Sequence, residues 1–131
     1  MSKTSINARL AMIQAFASFM DSGSQSATVV FYEGVQPANT SVAADSNNAL
    51  VTLVFPEPCI KETTATYVEF HPTDTGSVIK TGTATWARIY NGAGEVAADL
   101  TVGTDISLAN TNLVVGGTLF IYKFRIFIHW L

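Results

Sequence analysis

Residues 119–131 read LFIYKFRIFIHWL, and this closing stretch decides the fold class. Every second side chain in it is apolar, which is typical of a β-strand, because successive side chains of a strand point to opposite faces of a sheet. We therefore predict a strand from Leu119 to Trp130 with one deeply buried face. The side chains predicted to form that face are Phe120, Tyr122, Phe124, Ile126, Ile128 and Trp130.

The opposite face of the same strand mixes apolar and cationic side chains. Such a face is poorly suited to bulk water. A long strand with one apolar face and one partly apolar face needs a second sheet, a second subunit or both to cover it. We predict that this face lies in an interface between subunits. The residues predicted to form this part of the interface are Lys123, Arg125, Phe127, His129 and Leu131.

The chain is long enough for one domain with a real core, but it carries few charges. Its 131 residues are 48% hydrophobic and only 13% charged, whereas an average soluble domain has about 25% charged residues. The deficit indicates that neighbouring molecules cover part of the surface. The alternative is an ordinary β-domain whose surface is uncharged because it is rich in Thr, Ala and Gly.

Charge and cysteine content argue against several classes of protein. The formal net charge is −3, and the seven Lys and Arg residues are scattered. A surface that follows nucleic-acid phosphates needs clustered cations, so we expect no nucleic-acid partner. The apolar runs are far shorter than a bilayer span, so we expect no membrane partner. The N-terminal segment is interpreted as part of the mature fold and not as a signal peptide. Cys59 is the only cysteine, so no intrachain disulfide can form.

A helix is predicted over residues 5–20, because apolar side chains recur there at helical spacing. Thr4 or Ser5 is a suitable N-cap, and Gly23 is a suitable C-terminal stop. Two interpretations stay open: the helix closes one end of a β-core, or it docks on another subunit. The helix residues predicted to lie in an interface are Leu10, Met12, Phe16, Phe19 and Met20.

The rest of the chain predicts a β-sandwich or jelly roll. Short alternating segments are separated by turns rich in Gly, Pro and Asn, as in all-β domains of this kind. Asn91-Gly92 is the sharpest hairpin signal, although Gly94 permits a longer loop. The predicted strands are Ala27–Tyr32, Ala49–Phe55, Ala65–Phe70, Thr83–Tyr90, Val96–Val102, Ile106–Leu108, Leu113–Val115 and Leu119–Trp130.

The predicted domain organisation is a helical segment, residues 1–23, followed by a β-domain, residues 24–131, within one structural unit. Trp86 lies on an alternating segment of the β-domain and is expected to be buried between the sheets. Residues 36–48 are rich in Ala, Ser and Asn and predict an exposed loop.

Catalytic and metal-binding chemistry is poorly provided for. Cys59 and His71 are a conceivable nucleophile and base, but a structural cysteine and a loop histidine are the simpler interpretation. Asp99 and Asp105 flank the turn at Gly103 and suggest a Ca²⁺ site, for which a solvated turn is again simpler. The sequence has no zinc motif and no phosphate-binding loop. We therefore expect a protein that is not an enzyme and that binds no metal or cofactor.

Several short motifs follow one another from Thr81 onward. TGTATWAR at residues 81–88 precedes a glycine turn, which is followed by VAADLTVG and then DISL. With two earlier strands and a closing strand, this arrangement resembles small proteins encoded among the structural genes of tailed bacteriophages. The resemblance covers residues 28–128, and the N-terminal helix departs from it. The matching segments are Val29–Tyr32, Leu50–Pro56, Thr81–Arg88, Gly92–Gly94, Val96–Gly103, Asp105–Leu108 and Gly116–Ile126.

The resemblance implies a virion structural protein without specifying head or tail. Few charges, an apolar helix and a two-faced final strand also fit a part of a symmetric assembly. We expect a non-enzymatic capsid cement or decoration protein that forms homo-oligomers and bridges subunits of the major capsid protein. It would be located in the virion after assembly in the bacterial cytoplasm. The alternative is a tail, baseplate or fibre component, including a receptor-binding tip. A hydrolase acting on the cell envelope is disfavoured, because no catalytic constellation is present.

Overall fold

The computed structural model describes residues 5–127. Within this range the protein is mainly β with one α-helix, as predicted. The helix, α1, covers Ile6–Met20, and a short 3-10 turn covers Ser46–Asn48. The strands are β1 Thr28–Tyr32, β2 Ala49–Val54, β3 Ile60–Thr63, β4 Tyr67–Phe70, β5 Gly76–Ser77, β6 Gly82–Thr83, β7 Trp86–Tyr90, β8 Val96–Thr101, β9 Asn112–Leu113, β10 Thr118–Leu119 and β11 Phe124–Phe127.

The larger sheet has the strand order β2-β1-β7-β8, and all neighbouring strands in it are antiparallel. The composition of β1, TVVFY, favours a central strand, because β-branched and aromatic side chains pack well on a pleated surface. Alternate residues of the sheet point into the core. In the register, Val29 lies between Leu53 and Ile89, and all three side chains are fully buried.

The smaller sheet has the strand order β11-β4-β3 and is also antiparallel. Val68 and Phe70 of β4 point inward and are buried. The ring centroid of Phe70 lies 4.9 Å from that of Phe55 and 5.0 Å from that of Phe124. These residues share one hydrophobic core with the inner face of the larger sheet, so the two sheets form a sandwich-like fold.

Two short pairs, β5 with β10 and β6 with β9, complete the strands. The chain around β5 runs beside β2, where the Asp74 N–H donates to the Val54 carbonyl oxygen at 2.9 Å. A Cβ atom on Gly76 would lie 2.6 Å from the Thr52 carbonyl oxygen, so the close approach of the two chains requires glycine there. This segment covers the outer edge of β2.

The helix begins at a capped N-terminus and contributes to the same core as the sheets. Ser5 is the N-cap, one of the two residues predicted, and its Oγ accepts from the Ala8 N–H at 3.1 Å. The helix packs against β3 and β4. Ile13 and Met20 are fully buried in the core. Gly23 follows the helix with φ of +96°, a conformation that glycine adopts without strain.

The hairpin between β7 and β8 is tied to the end of the helix. Its loop spans residues 91–95, longer than a two-residue turn, as Gly94 permits. Asn91 Nδ2 donates to the Phe19 carbonyl oxygen at 3.1 Å. A Cβ atom on Gly92 would lie 2.1 Å from the Gln25 carbonyl oxygen, so this contact also requires glycine.

The continuous strand predicted from Leu119 to Trp130 is wrong. The chain forms β10, which ends at Leu119, and β11, which begins at Phe124. Phe120 and Tyr122, predicted to be buried, are 55% and 77% exposed. The last four residues of the chain, on which part of the prediction falls, lie outside the described residues; these are Ile128, His129, Trp130 and Leu131.

The reason for the break is a change of partner strand between β10 and β11. The Thr73 N–H donates to the Ile121 carbonyl oxygen, and the Ile121 N–H donates to Thr73 Oγ1, both at 2.9 Å. These bonds hold Ile121 inward, with 6% of its surface exposed. Phe124 is the next buried residue, three positions after Ile121. In an unbroken strand, residues that point inward are two positions apart, so the odd spacing shows that the inward positions shift by one residue here.

Trp86 is buried as predicted, but it does not lie between the sheets. It stands on the face of the larger sheet that points away from the shared core, where its ring stacks on Tyr32 with centroids 4.4 Å apart. Alternation explains this placement, because the neighbouring positions Ala87 and Ile89 take the core face.

The loop 36–48 covers that second face. Arg88 is 2% exposed and binds Asp99 through Nε at 2.6 Å and Nη2 at 3.0 Å. Its Nη1 donates to the Val42 carbonyl oxygen in the loop at 2.8 Å. The loop side chains are largely exposed, as predicted, but its backbone closes over a buried ion pair.

Other segments also differ from the predicted strands. The strand predicted from Thr83 to Tyr90 is divided into β6 and β7, which pair with different strands, and the one predicted from Leu113 to Val115 is β9, which ends at Leu113. Residues 106–108 form no strand, and Ile106 makes only an isolated bridge with Val102. β3 was not among the predicted strands, because IKET offers only one apolar side chain and hence no alternation.

Candidate interaction surfaces

One exposed surface with apolar side chains is a groove lined by Val78 and by residues between 107 and 123. Its volume is about 570 Å³. Leu113 and Ile121 are buried and anchor its floor, while Val114, Phe120 and Tyr122 stand exposed along it. We call this surface the apolar groove and define it by the lining residues Leu108, Leu113, Val114, Leu119, Phe120 and Tyr122.

A glycine turn holds the two walls of the apolar groove together. Gly116 adopts φ of +87°, and the Gly117 N–H donates to the Val114 carbonyl oxygen at 2.9 Å. Val78 closes the turn, since its N–H donates to the Gly117 carbonyl oxygen at 2.9 Å. Backbone hydrogen bonds therefore fix the main chain of this turn against Val78.

The rim of the apolar groove is polar but almost uncharged. Among the lining residues only Lys123 carries a charge, and the other polar groups include the amides of Asn110 and Asn112. Asn112 Oδ1 already accepts from Thr83 Oγ1 at 2.9 Å. Such a lining suits a binding partner that presents an apolar surface and makes a few hydrogen bonds. It suits an anion or a metal ion less well.

The helix offers a smaller surface than predicted. Met20 is fully buried and belongs to the core, so its prediction as an interface residue is wrong. Phe16 packs against the same core as Met20. The side chains of these two residues face the sheets. Leu10 is only partly exposed. Met12 and Phe19 are exposed, and their spacing of seven residues places them on one side of the helix. We call these two residues the helix patch.

The outer face of the smaller sheet carries a network of paired charges. Arg125, predicted as an interface cation, lies with Nε 2.6 Å from Glu69 Oε1, and Lys61 Nζ lies 3.5 Å from Glu69 Oε2. The guanidinium carbon of Arg125 lies 4.3 Å from the ring centroid of Tyr67. The bond with Arg125 lowers the pKa of the Glu69 carboxyl and raises the pKa of Arg125. Lys123 is exposed nearby in sequence.

Phe127, another predicted interface residue, is 53% exposed at the end of β11. Its ring centroid lies 5.6 Å from that of Tyr67. Tyr67 donates its hydroxyl to Glu62 Oε1 at 2.7 Å, and this bond raises the pKa of Tyr67. His129 and Leu131, the remaining predicted interface residues, lie outside the described range.

Cys59 and His71 are neighbours in the fold, but the thiol is not activated. The His71 N–H donates to the Cys59 carbonyl oxygen at 2.8 Å. Burial and the nearby Asp21 raise the pKa of the Cys59 thiol to about 12. A thiol protonated at neutral pH is a poor nucleophile.

The two aspartates considered for Ca²⁺ have other partners. Asp99 is held by Arg88, and Asp105 Oδ2 accepts from the Thr101 N–H at 2.9 Å. Within residues 5–127 no three His, Cys, Asp or Glu side chains come together as metal ligands would. In the same range no helix is both long enough and apolar enough to cross a membrane.

Sequence reasoning missed most of the apolar groove. Phe120 and Tyr122 were assigned to a buried face, and Val114 to a strand, so their exposure was not foreseen. One signal was available: Val114 and Val115 directly precede Gly116-Gly117. Apolar side chains beside a tight glycine turn are difficult to bury, because turns run over the surface.

Comparisons with known proteins add no relative to this picture. No protein-family model matches the chain, and neither the curated proteins nor the solved structures give a significant match.

Proposed function

We propose that this chain is a structural protein of the virion of a tailed bacteriophage, acting as a capsid cement or decoration protein. The observation that carries the proposal is the apolar groove, in which Val114, Phe120 and Tyr122 are held exposed on an ordered surface. Contiguous exposed apolar surface of this kind marks a site of protein interaction. The occupant we propose is the outer surface of the major capsid protein.

The motif TGTATWAR, which is part of the phage resemblance, lies in the packed part of the fold. In TGTATWAR, Trp86 and Arg88 are buried, and Arg88 Nη1 donates to the Val42 carbonyl oxygen in the loop 36–48. A Cβ atom on Gly82 would lie 2.7 Å from Glu33 Oε1 and 3.0 Å from Leu50 Cδ2, so this glycine serves close packing. In this motif the resemblance depends on residues that hold the fold. Phe120 and Tyr122 of the apolar groove lie in another matching segment, Gly116–Ile126.

A cement protein needs two contacts, because it bridges neighbouring subunits. The helix patch and the apolar groove share no residue and belong to different elements. Burying one large apolar side chain stabilises a complex by roughly 1.5–3 kcal/mol. A few such side chains in each contact are sufficient for binding that is repeated around symmetry axes.

The test is binding to phage capsids assembled without this protein. Phe120→Lys places a charge in the apolar groove at a residue that is already exposed, so the fold should be unaffected. We expect this variant to lose at least about tenfold in affinity, equivalent to the roughly 1.4 kcal/mol that an apolar contact readily supplies. Co-sedimentation with the capsids measures the bound fraction.

Val35→Lys is the matched control. Val35 is strongly exposed in the loop after β1 and does not line the apolar groove. We expect this variant to bind capsids as the unmodified chain does, and both variants to show unchanged circular dichroism. Undiminished binding by Phe120→Lys, or absence of binding by the unmodified chain, would contradict the proposal.

A further inference from the structure

The hairpin between β7 and β8 contains the one Asn-Gly pair of the sequence, Asn91-Gly92. Asparagine is among the chemically labile residues of proteins. It is most labile before glycine, because no side chain on the glycine obstructs the attack of its main-chain nitrogen on the asparagine amide carbon. The other asparagines of the chain precede Ala, Thr, Leu or a second Asn. Asn91 is therefore the residue of this chain that is chemically most prone to deamidation.

The reaction has two steps and consumes only water. The main-chain nitrogen of Gly92 loses its proton and attacks Cγ of Asn91. The new C–N bond closes a five-membered succinimide ring, and Nδ2 takes up a proton and leaves as ammonia. Water then adds to one of the two ring carbonyl carbons and breaks its bond to the ring nitrogen. The product is aspartate at residue 91, linked to Gly92 through its main-chain carbonyl, or isoaspartate, linked through its side chain.

The end of the helix holds both nitrogen atoms that this reaction uses. Nδ2 of Asn91, the leaving group, donates to the Phe19 carbonyl oxygen at 3.1 Å. The Gly92 N–H, whose nitrogen is the attacking atom, donates to the Met20 carbonyl oxygen at 3.3 Å. Asn91 is 2% exposed and Gly92 is buried, so hydroxide from the solvent does not reach the proton that must be removed. The folded junction between hairpin and helix therefore opposes ring closure.

The reaction products do not fit back into the junction. Aspartate places an oxygen where Nδ2 donates to the Phe19 carbonyl oxygen and to Glu95 Oε1, both at 3.1 Å. Both hydrogen bonds are thereby lost, and two carboxylates come together, which is unfavourable between like charges. Isoaspartate adds a methylene group to the main chain before Gly92. The main chain there has no room even for a Cβ atom against the Gln25 carbonyl oxygen.

We propose that Asn91-Gly92 is a self-modification site that the helix end protects in the folded chain. When the hairpin separates from the helix by local or global unfolding, Asn91 deamidates through the succinimide, and the modified hairpin does not return to its place. A chain that stays folded keeps its amide, whereas a chain that stays open loses with time the ability to fold. This chemistry is independent of the virion role, because it needs no partner and no capsid.

The first test compares the rate of deamidation in the folded and the denatured full chain, both in mildly alkaline buffer, with guanidinium chloride as the denaturant. Mass spectrometry measures the conversion of each amide to a carboxyl group. We expect Asn91 to react at least about a hundredfold more slowly in the folded chain, which corresponds to a free energy of opening of about 2.8 kcal/mol. Equal rates in the two states would overturn the protection by the helix end.

Two asparagines in the same peptide are internal controls. Cleavage after Arg88 and after Lys123 yields one peptide that contains Asn91, Asn110 and Asn112. Asn110 precedes Thr and Asn112 precedes Leu, so we expect both to react slowly in the folded and in the denatured chain. If Asn91 reacts no faster than these two residues in the denatured chain, the site is not labile and the proposal is overturned.

The second test measures whether the modified chain folds. Samples are held in guanidinium chloride in mildly alkaline or mildly acid buffer and are then diluted into one common buffer. In acid the Gly92 nitrogen keeps its proton, so no ring forms. We expect the refolded fraction, measured by circular dichroism, to fall with the fraction of intact Asn91 in the alkaline sample and to stay constant in the acid sample. An equal loss in both samples, or full refolding of deamidated chains, would overturn the irreversibility.

A pair of variants reproduces the product without the reaction. Asn91→Asp should unfold at a lower urea concentration than the unmodified chain, because it places the new carboxylate against Glu95. Asn110→Asp is the matched control, since its carboxylate still accepts from the Asn112 N–H at an exposed position, and it should unfold as the unmodified chain does. An Asn91→Asp variant as stable as the unmodified chain would show that the product fits the junction and would overturn the proposal.

Discussion

At Asn91, one buried amide joins two parts of the fold that are far apart in sequence. Its Oδ1 accepts from the N–H groups of Ala93 and Glu95 at 3.0 and 2.9 Å, which shapes the hairpin loop. Its Nδ2 donates to the Phe19 carbonyl oxygen at the end of the helix. The dipeptide Asn91-Gly92 thus does more than turn the chain, and only the turn was visible in the sequence.

Asn91→Ala should be strongly destabilising. Removing the side chain leaves the N–H groups of Ala93 and Glu95 without their acceptor and breaks the link to the helix, and each group that loses its partner away from water costs about 1–3 kcal/mol. We expect a loss of about 3 kcal/mol in the free energy of unfolding, measured by urea denaturation. Asn110→Ala is the control, because Asn110 is exposed and its Oδ1 accepts from the N–H of the nearby Asn112. A similar loss in both variants would contradict this role for Asn91.

Glu69 should make stability depend on pH in the acid range. Because Arg125 lowers its pKa in the folded state, the ionised carboxylate is favoured by folding. Its stabilising contribution is complete above the ordinary pKa of 4.5 and is lost as the pH falls through the lowered folded value. The melting temperature of Glu69→Gln should therefore approach that of the unmodified chain as the pH is lowered. A gap in melting temperature that stays constant from neutral to acid pH would argue against the pairing.

At the scale of elements, the helix and most of the longer strands could be predicted, because each shows a clear period. The last strand could not, although its alternation was the strongest signal in the chain. Period-2 alternation locates apolar side chains but not a change of partner strand, and the bonds between Ile121 and Thr73 that reset it are long-range. The short strands β5, β6, β9 and β10 have two residues each and leave no periodic signal.

The helix is expected to be part of the folding unit and not a detachable docking arm. Met20→Ala should cost about 2–5 kcal/mol, because it empties a fully buried site. Met12→Ala, at an exposed position of the same helix, should change the free energy of unfolding by about 0.5 kcal/mol or less. Thermal or urea unfolding measures both variants. Equal small effects would indicate that the helix folds independently of the sheets.

For the whole molecule, composition indicated a covered surface but not which surface. The low charge content is a property of the entire chain, whereas the exposure of Phe120 and Tyr122 depends on one break in one strand. Of the helix residues predicted for an interface, Met20 and Phe16 pack in or against the core, because a period of 3.6 does not distinguish core from interface. Arg125 lies on the outer face of the last strand, as its position in the alternation predicted. Its partner Glu69 lies on β4, far away in sequence, so the local sequence gives no sign of this ion pair.

The copy number of this chain in purified virions tests the central proposal most directly. Quantitative mass spectrometry, with the major capsid protein as the internal reference, measures it. A capsid cement protein should be present in hundreds of copies, in a fixed ratio to the major capsid protein. A few to a few dozen copies would place the chain in the tail and contradict the cement role, and its absence from the virion would contradict a structural role altogether.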